Sequence, residues 1–198
     1  MERQNERSAM PVRVALQVLI DQRHDDQIVV TNQGSARVWP RMATHALDFH
    51  YLPSAMGGAV PLGLGLALAQ PTREVLVCSG DGALLMNLGS LVSVIDAGVT
   101  NLTVVVLENG IYEVTGGQRT ASANGHVDFA ALARSCGFGT VARFSDSADW
   151  RQSGPFCFSG KGPRFLSLCV ERTLPDDMQP LPGPSIETQI ERLRQRLR

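Results

Sequence analysis

Hydrophobic positions along the chain follow two alternating patterns. Several short runs are continuously apolar and rich in β-branched residues, which is typical of strands buried on both faces of a parallel sheet. Between them, apolar residues recur every three or four positions, which predicts helices that bury one face. The predicted strands span residues 28–32, 49–52, 73–79, 102–108, 140–144 and 164–171. The predicted helices span residues 12–22, 83–97, 128–137 and 185–198.

Strands that alternate with helices predict an α/β fold, with a doubly wound, mostly parallel sheet and helices on both faces. The glycine-rich segment 54–70 predicts a buried helix that packs closely on a neighbour, whereas residues 145–163 form no regular pattern and are predicted to be a loop.

The chain divides into three predicted parts. Residues 1–11 are expected to be a flexible N-terminus, and residues 12–173 form one domain. Residues 174–198 consist of a Pro-rich linker and a C-terminal amphipathic helix.

Composition excludes several classes of partner and site. Eighteen basic and 19 acidic residues give a net charge of −1, which provides no electrostatic attraction to nucleic acid or to acidic membranes. No apolar run is long enough to cross a bilayer, and the N-terminus lacks the apolar core of a signal peptide. The four cysteines form no CxxC pair, so a locally built zinc or iron–sulfur site is not expected. We therefore expect a cytoplasmic protein without membrane or nucleic-acid partners.

Candidate chemistry lies where predicted strands end. In parallel sheets, ligands bind at the carboxyl ends of the strands, and residues 33–35, 80–82 and 109–110 follow three of them. The carboxylate of Asp81, the amide oxygen of Asn109 and a main-chain carbonyl near Ile111 are ligands of the kind that Mg²⁺ prefers. The helix that begins at about residue 83 offers free N–H groups to a phosphate. We infer a diphosphate bridged by Mg²⁺.

A simpler interpretation exists for Gly80-Asp81-Gly82, since the tripeptide alone is typical of a tight turn with an aspartate N-cap. The second polar site at Asn109 favours the ligand. Competing nucleotide motifs are missing: the chain has no G-x-x-x-x-G-K-[ST] segment, and the sequence after Gly63-Leu64-Gly65 does not continue as G-x-G-x-x-G/A.

These residues resemble a known family. Gly80-Asp81-Gly82, followed by Asn109 after a spacer of 26 residues, is similar to the diphosphate signature of thiamine-diphosphate enzymes. The segments SAMGGAVPLGLGLALAQP and VLVCSGDGALLMNLGSLVSVIDAG, together with NLTVVVLENGIYEVTGGQRT, resemble in particular the sulfopyruvate and phosphonopyruvate decarboxylases of that family. The resemblance covers residues 28–122 and extends more weakly to 171. Glu108 departs from it, because many relatives have the first of two asparagines there, and its role is left open.

The resemblance implies a thiamine-diphosphate-binding fold and a role for each matching residue. Asp81, Asn109 and the main-chain oxygen of Ile111 would hold Mg²⁺. Main-chain N–H groups of Gly82 and Ala83, with Ser35, would bind the diphosphate. The full predicted set of cofactor contacts is Gly34, Ser35, Ser54, Met56, Gly80, Asp81, Gly82, Ala83, Asn109 and Ile111.

Two of these contacts would act on the pyrimidine side of the cofactor. Ser54 would accept a hydrogen bond from the aminopyrimidine through its main-chain oxygen. Met56 would be the apolar wedge that bends the cofactor, although ordinary core packing explains a methionine equally well.

The resemblance also implies a partner. Family members combine a diphosphate-binding domain with a pyrimidine-binding domain that supplies an activating glutamate, and this chain resembles the first domain only. We therefore expect a β subunit of a hetero-oligomeric 2-oxo acid decarboxylase, completed by an α subunit and inactive alone, with a homodimer as the alternative state of the isolated chain.

No catalytic residue is assigned within this chain. The candidates for polar substrate contacts are Glu113, Thr115 and Gln118, each of which is also compatible with an ordinary loop residue. Arg37 and Arg119 are candidates for pairing with a sulfonate or phosphonate.

Three alternatives remain open at this point. The Thr-Gly-Gly-Gln segment at 115–118 is similar to the β subunits of 2-oxo acid:ferredoxin oxidoreductases. An acetolactate-synthase-like enzyme is a second alternative, and a non-catalytic cofactor-binding module is a third. The sequence does not select the 2-oxo acid, the stoichiometry, or an aldehyde, acyl-CoA or ligated acid as product.

Overall fold

A parallel sheet of six strands forms the centre of the structure, a computed structural model that describes residues 8–180 and 183–198. Its strands are β1 (Ile28–Asn32), β2 (Asp48–Tyr51), β3 (Val75–Gly80), β4 (Leu102–Glu108), β7 (Thr140–Phe144) and β8 (Arg164–Cys169). A separate antiparallel hairpin consists of β5 (Ile111–Tyr112) and β6 (Gln118–Arg119). The predicted α/β class and parallel sheet are confirmed.

Helices cover both faces of the sheet. They are α1 (Val12–Asp21), α2 (Gln33–Val38), α3 (Ala59–Ala69), α4 (Asp81–Leu85), α5 (Gly89–Asp96), α6 (Phe129–Cys136), α7 (Ser147–Ser153), α8 (Pro175–Met178) and α9 (Ile186–Arg196). Apolar residues of α3, α5, α6 and α9 pack on one face, and those of α1 and α7 pack on the other. The two apolar layers exclude water from the central strands, which is the main source of stability in such a fold.

Strand order determines where a ligand can bind. The six strands lie in the order β2-β1-β3-β4-β8-β7, so the chain moves outward in opposite directions from the β1–β3 pair. Such a reversal leaves a crevice outside the carboxyl ends of the two strands, because the connections that follow them lead to opposite sides. The segments that follow β1 and β3 therefore meet at the crevice.

Helix α3 shows why its segment is rich in glycine. It is apolar on nearly all sides, and it packs on β3 at Gly63, where an added Cβ would lie 2.1 Å from Cγ2 of Val77. The predicted close packing is thus present at Gly63. At Gly65 an added Cβ would meet no atom within 4 Å, so that glycine is not required by packing.

The single helix predicted for 83–97 is wrong. The structure has two helices there, α4 and α5, separated by a turn. Main-chain N–H groups of Met86 and Asn87 bond to the carbonyls three residues earlier, and the Asn87 side-chain amide donates to the Gly57 carbonyl. The tighter turn ends α4, and apolar periodicity alone does not reveal it.

The loop predicted for 145–163 is also wrong in part. Asp146 caps α7 by accepting the N–H groups of Ala148 and Asp149, both at 2.9 Å, and a 3₁₀ helix follows at Gly154–Ser159. Trp150 anchors α7 because it is fully buried and donates its indole N–H to the Ala15 carbonyl of α1. The contact that holds this helix in place is distant in sequence. The helix is therefore not visible as apolar periodicity within residues 145–163.

The two ends of the chain are partly outside the described residues, namely residues 1–7 and 181–182. The flexible N-terminus predicted for residues 1–11 lies largely outside the described residues, but Met10 is buried and forms a parallel bridge with Val170. At the other end, Gln189 of α9 accepts the main-chain N–H of His50 on β2 at 2.8 Å. Among the described residues, no helix combines the length and the apolar character needed to cross a membrane.

Candidate cofactor site

One pocket collects the residues that follow β1, β3 and β4. It is lined by every predicted cofactor residue except Ser54, namely Gly34, Ser35, Met56, Gly80, Asp81, Gly82, Ala83, Asn109 and Ile111. The pocket lies at the β1–β3 reversal of the sheet, as the topology requires. Residues that are up to about 80 positions apart in sequence therefore share one small volume.

Asp81 is the most strongly held polar group of this pocket. It is the first residue of α4 and is only 1% exposed. Its Oδ2 atom accepts the main-chain N–H of Gly110 at 3.1 Å, the hydroxyl of Thr120 at 3.1 Å and the hydroxyl of Ser122 at 2.9 Å. These donors fix the position of the carboxylate in the pocket.

Burial raises the pKa of Asp81, because the carboxylate has lost the water that would stabilise its charge. Hydrogen bonds from Ser122, Gly82, Thr120 and Gly110 lower the pKa in opposition but do not cancel the effect of burial. A bound cation would supply the missing stabilisation of the ionised form. The electrostatics of Asp81 therefore suit a metal ligand.

Asn109 follows β4 directly and lines the same pocket as Asp81. Its Oδ1 atom accepts the N–H of Ile111 at 3.1 Å, and the intervening Gly110 donates its N–H to Asp81. Gly110 has a φ of +72°, and an added Cβ would lie 3.3 Å from Ala123, so the turn requires glycine. This turn brings the predicted ligands after β3 and after β4 together.

The oxygen ligands predicted for this pocket are of the kind that fits a hard cation. They consist of one carboxylate, one amide and one main-chain carbonyl, that of Ile111, and Mg²⁺ prefers oxygen ligands and takes the remainder from phosphate and water. Among the described residues, no three or more His, Cys, Asp or Glu side chains cluster as a metal site.

Phosphate contacts are available at the start of α4. Gly82 and Ala83 are buried in the first helical turn, where main-chain N–H groups have no carbonyl partner within the helix, although that of Gly82 also contributes a hydrogen bond to the Asp81 carboxylate. At Gly82 an added Cβ would lie 2.7 Å from the Tyr112 ring. Glycine is thus needed for close packing at the point where the backbone forms the pocket wall.

Ser35 lies in the pocket, but its hydroxyl is engaged elsewhere. The Oγ atom is 2.8 Å from the carbonyl oxygens of Asn32 and Cys78, which share its single proton, and it accepts the N–H of Asn32. The side chain therefore joins the ends of β1 and β3. Geometry does not support the predicted diphosphate contact through the Ser35 hydroxyl, although the residue lines the site.

The three candidate substrate contacts lie in different surroundings. Glu113 lines the pocket, but its carboxylate accepts the N–H and the hydroxyl of Thr173. Thr115 and Gln118 are exposed and face each other across the β5–β6 turn, with their side-chain oxygens 3.4 Å apart. None of the three is placed by the structure as a free group within the pocket.

The two candidate arginines lie outside the pocket. Arg37 donates to the Met178 carbonyl at 3.0 Å and lines a separate cavity of about 580 Å³. Arg119 donates to the side chain of Asn124 at 2.7 Å. Neither arginine is among the residues that line the pocket around Asp81.

Sequence reasoning missed the residues that support the site. The hydroxyls of Thr120 and Ser122 hold Asp81, and Thr173 holds Glu113. Glu108, whose role the sequence left open, accepts hydrogen bonds from Ser167 on β8 and Arg143 on β7. Threonine and serine in a polar loop give no local signal of such contacts.

Comparison with known proteins agrees with this geometry. Residues 30–168 match the family model for the thiamine pyrophosphate enzyme, C-terminal TPP binding domain, a range that includes all or most of every strand of the sheet. The chain belongs to this family.

Two decarboxylases match most of this chain in sequence. It is 36% identical over 165 residues to a phosphonopyruvate decarboxylase from Streptomyces viridochromogenes, a match that covers 82% of this chain and 41% of the relative. It is 37% identical over 154 residues to sulfopyruvate decarboxylase subunit beta from Methanothermobacter thermautotrophicus, covering 74% and 75%. The chain thus spans less than half the length of the first relative and three quarters of the second.

A solved structure shares the fold. A chain from Mycobacterium smegmatis, described as a thiamin diphosphate-dependent enzyme, superposes with a TM-score of 0.66 at 20% identity. The superposition covers 86% of this chain and 34% of that one. The shared fold is the α/β domain described above.

Proposed function

We propose that the chain is the β subunit of a thiamine-diphosphate- and Mg²⁺-dependent 2-oxo acid decarboxylase, of the sulfopyruvate and phosphonopyruvate decarboxylase type. The observation that carries the proposal is the placement of Asp81 and Asn109 together in a pocket at the β1–β3 reversal. The relative named as a β subunit, of which the chain covers 75%, supports the subunit role.

Each residue at the site would have a defined part. Asp81, Asn109 and the main-chain oxygen of Ile111 would hold Mg²⁺, and the N–H groups of Gly82 and Ala83 would bind the diphosphate. The hydroxyls of Thr120 and Ser122 would keep the Asp81 carboxylate in place before the metal arrives. When bound, thiamine diphosphate supplies the electron sink that decarboxylation of a 2-oxo acid needs.

The partner would be a pyrimidine-binding α subunit that contributes the activating glutamate. The pocket of this chain encloses only about 50 Å³, whereas small-molecule sites typically enclose roughly 300–1,000 Å³. A second protein surface would complete the walls around the cofactor. The hetero-oligomer, the 2-oxo acid substrate and the inactivity of the isolated chain are parts of the same proposal.

A cytoplasmic location also belongs to the proposal. The thiols of Cys78, Cys136 and Cys157 form no disulfide bond. Proteins of oxidising compartments commonly use such bonds, so reduced thiols favour the cytoplasm.

The proposal is tested by assembling the enzyme. The chain is coexpressed with the pyrimidine-binding subunit of the same genome, and CO₂ release is measured with sulfopyruvate, phosphonopyruvate and pyruvate in the presence of thiamine diphosphate and Mg²⁺. We expect release by the complex and none by either subunit alone. Full activity of the isolated chain would refute the shared site, and electron transfer to ferredoxin in place of simple decarboxylation would favour the oxidoreductase alternative.

The metal assignment is tested in the same complex. Asp81→Ala should weaken Mg²⁺-dependent cofactor binding at least tenfold, because the one anionic ligand is lost. Asp96→Ala, an exposed aspartate at the end of α5, serves as the matched control and should bind normally. Normal affinity in Asp81→Ala would contradict the assignment.

A further inference from the structure

Gln33 has an unusual backbone conformation at the mouth of the pocket. Its φ is +53°, and within residues 8–180 and 183–198 it is the one non-glycine residue with a positive φ. It follows β1 directly, begins α2 and lines the cofactor pocket. A side chain disfavours this region sterically, and such strain persists where the surrounding structure enforces it, often at functional sites.

The side chain of Gln33 connects two loops of the site. Its Nε2 atom donates to the hydroxyl oxygen of Ser54 at 2.8 Å in a partly buried hydrogen bond. Gln33 follows β1 and Ser54 follows β2, which are adjacent parallel strands paired at Asn32 and Tyr51. The bond thus crosses between the carboxyl ends of two neighbouring strands.

The loop held by this bond reaches the pocket. Met56, two residues after Ser54, lines the same pocket as Gln33, Asp81 and Asn109. Ser54 itself does not line the pocket, so its hydrogen bond to Gln33 would affect the cofactor through the loop rather than by direct contact. A hydrogen bond to Ser54 therefore limits how far the segment that carries Met56 can move away from the cofactor.

Backbone strain and side-chain contact have one explanation. A glycine at position 33 would adopt the same φ without steric cost, but it would provide no amide to reach Ser54. The glutamine combines a disfavoured backbone with a specific contact. The disfavoured backbone conformation of Gln33 is explained if its hydrogen bond to Ser54 serves the cofactor site rather than the stability of the fold.

We propose that Gln33 is a positioning residue of the cofactor site, whose amide holds the Ser54–Met56 segment in place for cofactor binding. The inference rests on the proposed function, since it assumes that the pocket binds thiamine diphosphate. Gln33 is not proposed as a catalytic group. The residue acts through Ser54 and, by way of the loop, through Met56.

The test compares four variants in the assembled complex: Gln33→Gly, Gln33→Ala, Ser54→Ala and the double variant Gln33→Ala with Ser54→Ala. Gln17→Ala is the matched control, because the Gln17 amide also donates to a side chain, that of Asp21, but on the exposed side of α1. The dissociation constant of thiamine diphosphate in the presence of Mg²⁺ is measured by calorimetry. The thermal unfolding midpoint is measured without cofactor.

Stability and binding should change in different ways. Gln33→Ala keeps the strained φ and should lower the midpoint, whereas Gln33→Gly removes the strain and should leave the midpoint unchanged or raise it. Both should weaken cofactor binding about three- to tenfold, which is the effect of one lost hydrogen bond. Ser54→Ala should weaken binding similarly, and the double variant no further than either single change.

The outcomes separate the two proposals. Normal cofactor binding by Gln33→Gly, or independent effects of the two alanine substitutions that multiply in the double variant, would overturn the positioning role while leaving the proposed function intact. Failure of the unaltered complex to bind thiamine diphosphate would overturn both.

Discussion

The carboxylate of Glu113 accepts two hydrogen bonds from Thr173, one from the main-chain N–H at 2.6 Å and one from the hydroxyl at 2.8 Å. Glu113 follows the proposed metal site, and Thr173 follows β8. At Gly34, an added Cβ would lie 3.1 Å from Oε2 of Glu113. The pair therefore joins three strand ends at the rim of the pocket and explains why Glu113 is not free for substrate.

Removal of the Glu113 carboxylate should destabilise the chain. Glu113→Ala should lower the free energy of unfolding by about 1–2 kcal/mol, because two hydrogen bonds to a charged acceptor are lost. Thr173→Val removes only the hydroxyl donor and should cost about half as much. Urea denaturation measures both, with the exposed Glu171→Ala as control. Effects of Glu113→Ala and Thr173→Val that are fully additive would contradict direct coupling of the two side chains.

Two glycines of α3 should respond in opposite directions to the same substitution. Gly63→Ala forces a methyl group to within 2.1 Å of Val77, a short β-branched side chain in the sheet, and should lower the free energy of unfolding by about 1–3 kcal/mol. Gly65→Ala meets no atom within 4 Å and should raise it by up to about 1 kcal/mol, because alanine favours the helix. Thermal and urea denaturation of both variants measure the difference. Equal effects would mean that α3 does not pack on β3 as described.

Glu108 should contribute to the stability of the sheet rather than to metal binding. It is 8% exposed and accepts hydrogen bonds from Ser167 and Arg143, so it links β4 to β8 and β7. Glu108→Ala should lower the free energy of unfolding by about 2–3 kcal/mol, because the buried Ser167 hydroxyl loses its acceptor and the ion pair with the more exposed Arg143 is lost.

A second Glu–Arg pair provides the control for Glu108. Glu74 pairs with Arg164 at 2.8 Å, but its side chain is 37% exposed, so Glu74→Ala should cost less than about 1 kcal/mol. Cofactor affinity in the assembled complex should be retained in both variants. A loss of Mg²⁺-dependent affinity in Glu108→Ala without loss of stability would show a role at the metal instead.

His50 should make stability depend on pH. Burial lowers the pKa of His50 below its ordinary value of 6.5; Asp48 opposes this by raising the pKa, and Arg23 adds to it by lowering the pKa further. Below pH 6.5 the unfolded chain therefore takes up a proton that the folded chain resists. Stability contributed by neutral His50 is present above pH 6.5 and decreases as the pH falls below it, by at most about 1.4 kcal/mol per pH unit.

Substitution of His50 should reduce this pH dependence. His50→Asn keeps a polar atom near Thr31, whose hydroxyl lies 2.8 Å from Nδ1 of His50, but it cannot take up the proton. The difference in free energy of unfolding between pH 7.5 and pH 5.5 should be smaller in this variant than in the unaltered chain. His126→Asn, at an exposed histidine, should leave the difference unchanged. The same pH profile in His50→Asn would exclude His50 as its source.

Local pattern was sufficient to predict most of the framework. The strands at 28–32, 102–108 and 140–144 have the predicted bounds. The first two are apolar runs that are buried along their whole length, as expected for the interior of a parallel sheet. The break of helix 83–97 and the helix at Ser147–Ser153 depended on Asn87 bonding to Gly57 and on Trp150 packing against α1. Those contacts join residues 30 and 135 positions apart, which no local periodicity encodes.

The same division holds for the candidate site. The sequence by itself determined the class of fold and the polar residues at the strand ends, including Asp81 and Asn109, because strand ends and the glycines beside them are local features. Only the tertiary structure decided which groups surround them. Thr120 and Ser122 donate hydrogen bonds to Asp81, which lies 39 and 41 positions earlier in the sequence. Thr173 donates to Glu113, which lies 60 positions earlier. Loop hydroxyls carry no periodicity, so their partners become defined only when the strands are aligned in the sheet.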